Sequence, residues 1–155
     1  MIEAQKNIVL REAQAADAWD IAGLRFASLM EMGHVTDKDR KSFIPRAANE
    51  IFQLFKEERL VAWLLVSDGV PSGSACVLFW RRLPYANGSV HAEIAGVYVI
   101  PALRRNGYAT ELVREALANA QARGVRKITL SPTEVGRSIY ERLGFKNEVQ
   151  MALRS

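Results

Sequence analysis

The stretch "VYVIPALRRNGYATELV", Val97 to Val113, decides the fold. β-Branched and aromatic residues run to Pro101, two adjacent arginines and one glycine follow, and helical spacing then takes over. Ala109, Leu112, Val113, Ala116, Leu117 and Ala120 fall on one face of a helix from Gly107 to Arg123, with Gly124 as its stop. A strand that passes through a tight turn into a helix leaves the first N–H groups of the helix without internal partners. They converge on one spot, backed by the positive end of the helix dipole. Such a spot takes anions, phosphate above all. Gly107 lets a ligand approach the backbone, Ala109 is small for the same reason, and Arg104 and Arg105 add charge that no pH change removes. Neither the P-loop pattern G-x-x-x-x-G-K-S/T nor G-x-G-x-x-G is present.

Upstream, "NIVLREA" (Asn7 to Ala13) alternates as a first strand. Asp17 is a candidate N-cap for a helix carrying Trp19, Ala22, Phe26, Leu29 and Gly33 on one face. "GHVTDKDRKSF" is polar and loop-like, and Pro45 marks the start of a second helix with Ala48, Ile51, Phe52 and Phe55 at helical spacing. "LVAWLLVS" and "SGSACVLFWRR" are apolar strands joined through Asp68-Gly69, a hairpin signal. "LPYANGS" (Leu83 to Ser89) reads as a loop, and Val90 to Ile100 as another long strand. Gly96 inside it marks a bulge or a close approach. Downstream come a strand at Lys127 to Ser131, a short helix in "TEVGRSIYERLGF" ending at Gly144, and a last strand, "EVQMALR" (Glu148 to Arg154).

This order is mixed α/β. A chain of 155 residues buries about 68–70% of its unfolded surface as one domain, here residues 1–155. Half the residues are apolar and a quarter charged, as in ordinary globular proteins. The apolar runs are too short to span a bilayer, and "MIEAQKNIVL" lacks a signal core, so the expected location is cytoplasmic. Cys76 is the single cysteine, and no Cys or His cluster has metal-ligand spacing. A net charge of +4 raises nucleic acid as a partner, but the basic residues are scattered among 17 acidic ones, which argues against it.

Arg104-x-x-Gly107-x-Ala109 after a strand resembles the pyrophosphate-binding motif R/Q-x-x-G-x-G/A of the GCN5-related N-acetyltransferase (GNAT) superfamily. "SIYERLGF", Ser138 to Phe145, is similar to the Y-E-x-x-G-F end of the same family, and order and element types agree over roughly Leu10 to Phe145. The resemblance implies a mostly antiparallel central sheet of six to seven strands, flanked by about four helices, with two adjacent strands splayed apart. It implies acetyl-coenzyme A as cosubstrate, its pantetheine arm in the splay and its pyrophosphate on the helix N-terminus. The cofactor-binding residues would then be Val97, Tyr98, Val99, Arg104, Arg105, Asn106, Gly107, Tyr108, Ala109, Thr110 and Thr133. The implied reaction transfers an acetyl group to a primary amine of a small molecule or peptide by direct attack in a ternary complex. The alternative is a non-catalytic acyl-coenzyme A sensor.

Such chemistry needs a base for the amine, a donor for the oxyanion and an acid for the departing thiolate. The resemblance places Tyr140 near the sulfur as the acid; a tyrosine on a short amphipathic helix also packs for structural reasons. Glu93, eleven residues before Arg104, is in the register of the family's glutamate base, while a surface or ion-paired glutamate is the other reading. His91 or Glu31 could stand in for it. The oxyanion donor would be a backbone N–H near Val99. Thr133 stands where the family commonly has asparagine and Gly136 where it commonly has alanine; threonine has one donor fewer. Cys76, on a strand, reads as a small core residue. Glu31, Asp37 and Asp39 could attract a cationic acceptor, and Trp80 and Tyr85 could wall its pocket. Free strand edges make a homodimer compatible with this reading.

Overall fold

Asp68 and Gly69 have φ of 49° and 80°, the two-residue turn geometry whose twist matches that of the flanking strands. They join β2 (Leu60–Ser67) to β3 (Val70–Tyr85) in the computed structural model, which describes residues 6–86, 88–133 and 136–155. Asn7 closes the adjoining edge: its N–H donates to Asp68 Oδ1 at 2.8 Å, and its carbonyl accepts from Asp68 N–H at 2.9 Å. This seats β1 (Ile8–Glu12) antiparallel to β2. β4 (Gly88–Val99) pairs antiparallel with β3, and β5 (Ile128–Leu130) pairs parallel with β4. The sheet has five strands in the order β1-β2-β3-β4-β5.

β2 and β3 are apolar on both faces because helices cover both. On one side α3 (Tyr108–Ala122) presses Leu112, Val113, Ala116 and Ala120 onto Trp63, Val77 and Ile94. On the other, α1 (Ala18–Glu31) sets Ile21 and Leu24 against Leu64, Cys76 and Tyr98, with α2 (Arg40–Lys56) packed alongside. A short α4 (Arg137–Arg142) lies beyond β5, its Tyr140 and the following Phe145 packed against the α3-side core. Among the described residues, no helix is long and apolar enough to cross a membrane.

Several expectations change. α2 begins at Arg40, and Pro45 lies inside it. A capping box, in which Thr36 N–H donates to Asp39 Oδ2 at 2.8 Å, starts the turn earlier than the proline can. Trp19 is 59% exposed, because the buried face of α1 runs through Ala18, Ile21, Ala22 and Phe26. The predicted loop Leu83 to Ser89 is instead the tip of a long hairpin, with Tyr85 paired to Gly88; Asn87 lies outside the described residues. Ladder hydrogen bonds use the backbone alone, so a polar tip does not end them. The helix expected in "TEVGRSIYERLGF" appears as α4; Glu134 and Val135 lie outside the described residues. Glu148 to Arg154 forms no strand: Val149, Met151 and Leu153 are almost fully exposed, which leaves five strands rather than six or seven.

Gly96, at φ +62°, is where β4 slips against β3. Ser74 pairs with Tyr98 and Cys76 with Ala95, so three steps on β4 oppose two on β3, the signature of a bulge. Pairing of β4 to β5 covers only Ala92–Ile94, and β4 continues to Val99 with its far edge free of β5. The two parallel strands therefore part at the bulge.

Candidate functional site

The free part of β4 leads through a single turn, Pro101–Leu103, into the loop before α3. Arg105 and Gly107 both have positive φ, 65° and 80°, with Asn106 between them. Asn106 holds the loop by donating from Nδ2 to the carbonyls of Leu103 (3.1 Å) and Arg104 (3.2 Å). The first bond of α3 runs from Glu111 N–H to Gly107 C=O at 3.1 Å. The N–H groups of Tyr108, Ala109 and Thr110 thus have no intrahelical acceptor and face the mouth of the splay, a concave cradle for an anion. A Cβ on Gly107 would meet no protein atom within 4 Å, so the glycine answers to the backbone turn and leaves the approach open.

Arg104 does not point into this cradle. Its Nε donates to Val99 C=O at 2.9 Å, and its Nη2 reaches both oxygens of Glu31, at 2.8 and 2.7 Å. Tyr98, whose ring lies under the guanidinium, donates its hydroxyl to the same Glu31 oxygen at 3.0 Å. Burial, and then the carboxylate it serves, push the Tyr98 phenol above its ordinary value. Both charged side chains are more than two-fifths exposed, so the pair contributes about 0.2–1 kcal/mol. Arg105 is left as the exposed cation beside the cradle. Glu31, expected as a stand-in base, is the anchor of Arg104 and Tyr98 instead.

Tyr140 packs against the α3-side core and meets Phe145 edge-on, ring centres 6.1 Å apart. Burial raises its phenol pKa above the ordinary value; like any tyrosine it is protonated at neutral pH. Gly136 has a steric reason: a Cβ there would stand 3.1 Å from Tyr140 Cε2 and 3.3 Å from Thr133 Oγ1. The Thr133 hydroxyl accepts from Gly136 N–H at 3.2 Å, so its own proton stays free to donate outward. Glu93 sits between Ala92 and Ile94, which face α3, and therefore points to the opposite face, where Tyr98 also lies. It is the residue before the last β4–β5 pair, at the closed end of the splay.

His91 is buried. Arg82 Nη1 donates to its Nδ1 at 3.1 Å, which fixes the proton on Nε2, and Nε2–H donates to Thr129 Oγ1 at 2.9 Å. Asp37 accepts from Arg40 at 3.2 Å, and Asp39 accepts from the Thr36 N–H at 2.8 Å. Trp80 stacks on His91 at 4.6 Å, and Tyr85 stands 73% exposed on the hairpin tip, so neither walls a pocket together with the other. Cys76 is core, its thiol pushed up to about 12 by burial. Sequence reasoning missed Ser74, whose Oγ donates to Gly96 C=O at 2.8 Å and pins the bulge; the run of small residues Ser72, Gly73 and Ser74 is the trace it leaves.

The model of the acetyltransferase (GNAT) family matches residues 28–145. The chain belongs to the GNAT acetyltransferase family. Solved structures agree with this GNAT-family chain in fold. A predicted acetyltransferase of Clostridium acetobutylicum, solved with acetyl-CoA, superposes with a TM-score of 0.86 at 20% identity over 96% of each chain. A GCN5-related N-acetyltransferase of Ralstonia eutropha JMP134 gives 0.84 at 19% identity over 96% of this chain and 99% of its own. The aminoglycoside N-acetyltransferase AAC(6')-Iy in complex with CoA gives 0.73 at 16% identity over 100% and 98%. No curated protein sequence matches the chain.

Proposed function

We propose that this acetyltransferase moves an acetyl group from acetyl-coenzyme A to a primary amine by direct attack in a ternary complex. The observation that carries the reading is the junction at which the free edge of β4 (Ala95 to Val99) runs into the cradle at the N-terminus of α3. The backbone of Val97 and the N–H of Val99, whose C=O accepts from Arg104 Nε, suit the two amides of a pantetheine arm, with Tyr98 between them holding the strand from the other face. The N–H groups from Arg105 to Thr110 suit a pyrophosphate, and the Arg105 guanidinium adds charge. Arg104 contributes its place in the loop, and Thr133 its free hydroxyl proton. The acetyl-CoA and CoA bound in the C. acetobutylicum structure and in the aminoglycoside enzyme support the choice of donor.

In this reading Glu93 takes a proton from the acceptor ammonium, directly or through water. The amine nitrogen then bonds to the acetyl carbon as the carbon–sulfur bond breaks. Tyr140, protonated at neutral pH as any phenol is, gives its proton to the departing thiolate, and the second proton that the nitrogen sheds as the amide forms passes through water to restore the phenol. Titrating acetyl-coenzyme A by calorimetry, then following thiol release against a panel of amines, tests it. Micromolar binding with release for some amine is the expected result. Binding with no release for any amine would favour an acyl-coenzyme A sensor, and no binding would overturn the reading of the junction.

A further inference from the structure

Glu31 closes the last turn of α1, Tyr98 lies on β4, and Arg104 opens the loop to the cradle; together they tie α1 to that loop. The tie is directional. Glu31 brings one negative charge to Arg104, whereas a pyrophosphate in the cradle a few residues along would bring at least two, in the geometry that a guanidinium fork matches best. The ion pair is exposed on both sides, and exposed pairs are weakly held. Tyr98, by contrast, stays with Glu31, since its hydroxyl has the carboxylate as its partner.

We propose that Glu31 is the docking carboxylate for the cationic acceptor, masked by Arg104 until the pyrophosphate of the donor draws that arginine away. The inference rests on the reading of the cradle as a coenzyme A site. Once Arg104 turns, the Glu31 carboxylate lies bare on the face of β4 that Glu93 also occupies, oriented by the Tyr98 hydroxyl. It then attracts an alkylammonium group. Because linkage is reciprocal, the donor strengthens cation binding by the factor by which the cation strengthens donor binding. Asp37 pairs with Arg40 and Asp39 with the Thr36 N–H, neither of them a residue of the cradle loop, so of the three carboxylates a donor in the cradle acts on Glu31.

The test uses coenzyme A, which carries no acetyl group to transfer, and n-butylammonium as the cation probe. Glu31→Gln removes the competitor for Arg104, so coenzyme A should bind about two- to fivefold more tightly than to the unsubstituted protein by calorimetry. n-Butylammonium, followed by NMR shifts, should bind the unsubstituted protein more tightly when coenzyme A is saturating, and Glu31→Gln should lose that gain. Tyr98→Phe, which leaves the ion pair intact, should keep the gain in part. Unchanged or weaker coenzyme A binding by Glu31→Gln overturns the proposal and leaves the cradle standing, as does a gain that survives the substitution. Failure of coenzyme A to bind the unsubstituted protein overturns both readings. Thermal unfolding of each variant confirms that a change in binding is not a change in fold.

Discussion

Tyr140 shows how one side chain can carry a role through its surroundings. Its ring is packed, and burial disfavours the phenolate, which raises the phenol above its ordinary value. Tyr140→Phe keeps the packing and deletes the proton, so turnover should fall about 10²-fold or more with little change in coenzyme A affinity; steady-state kinetics beside calorimetry checks the split. Gly136 and Tyr140 form a matched pair, since a methyl at 136 would press on the ring at 3.1 Å. The tyrosine and its motif were legible from "SIYERLGF"; the reason for the glycine was not, because it depends on where the ring folds back. Cys76 gives a second residue-level prediction. With its thiol pushed up to about 12 by burial, a thiol reagent at pH 8 should leave the folded protein unlabelled and label it within minutes once denatured.

At the scale of the element, the junction from β4 to α3 combines a positive-φ glycine with open space around it. Gly107→Ala should therefore cost about 1 kcal/mol from backbone strain alone, read as a drop in unfolding free energy. Gly107→Glu should abolish coenzyme A binding, because the new carboxylate would fill the approach and repel phosphate. Normal affinity in that variant would contradict the anion cradle. Leu112→Ala, under the centre of α3 and fully buried, should cost about 2–5 kcal/mol in chemical denaturation. The helix itself was readable from its spacing and from Gly124. The direction of Arg104 was not: a guanidinium next to a glycine loop invites an anion, and only the approach of α1 gives it Glu31 instead.

For the whole molecule, acid acts through His91 and through the carboxyls of Asp17 and Glu148, the last held low chiefly by its hydrogen bond from Lys127. Burial first, then Arg82 and Lys127, hold the His91 imidazole below its ordinary 6.5, partly offset by Glu148. The unfolded chain therefore binds a proton before the folded one does, and stability present above pH 6.5 is lost as pH falls toward the depressed folded value. Arg82, Thr129 and Trp80 surround the ring. The Asp17 carboxyl, lowered chiefly by its hydrogen bonds from Arg11, adds a second loss further down, below its ordinary 3.8. The melting temperature should fall in these two stages between neutral pH and pH 3, and His91→Gln should flatten the first.

Local chemistry is written along the chain, so the sequence by itself determined the strands β2 to β4 short of the β3–β4 hairpin tip, the Asp68-Gly69 turn, the strand-to-helix junction before α3 and the family. Periodicity, turn residues and the orphaned N–H groups of a helix start need only neighbours within a few residues. The tertiary structure decided whatever depends on partners far apart in sequence. The bulge at Gly96 needs Ser74, the orientation of Arg104 needs Glu31 and Tyr98, and the seat of His91 needs Arg82 and Thr129. A side chain's charge is fixed by its chemistry, but which opposite charge reaches it is fixed by the packing of helices on the sheet.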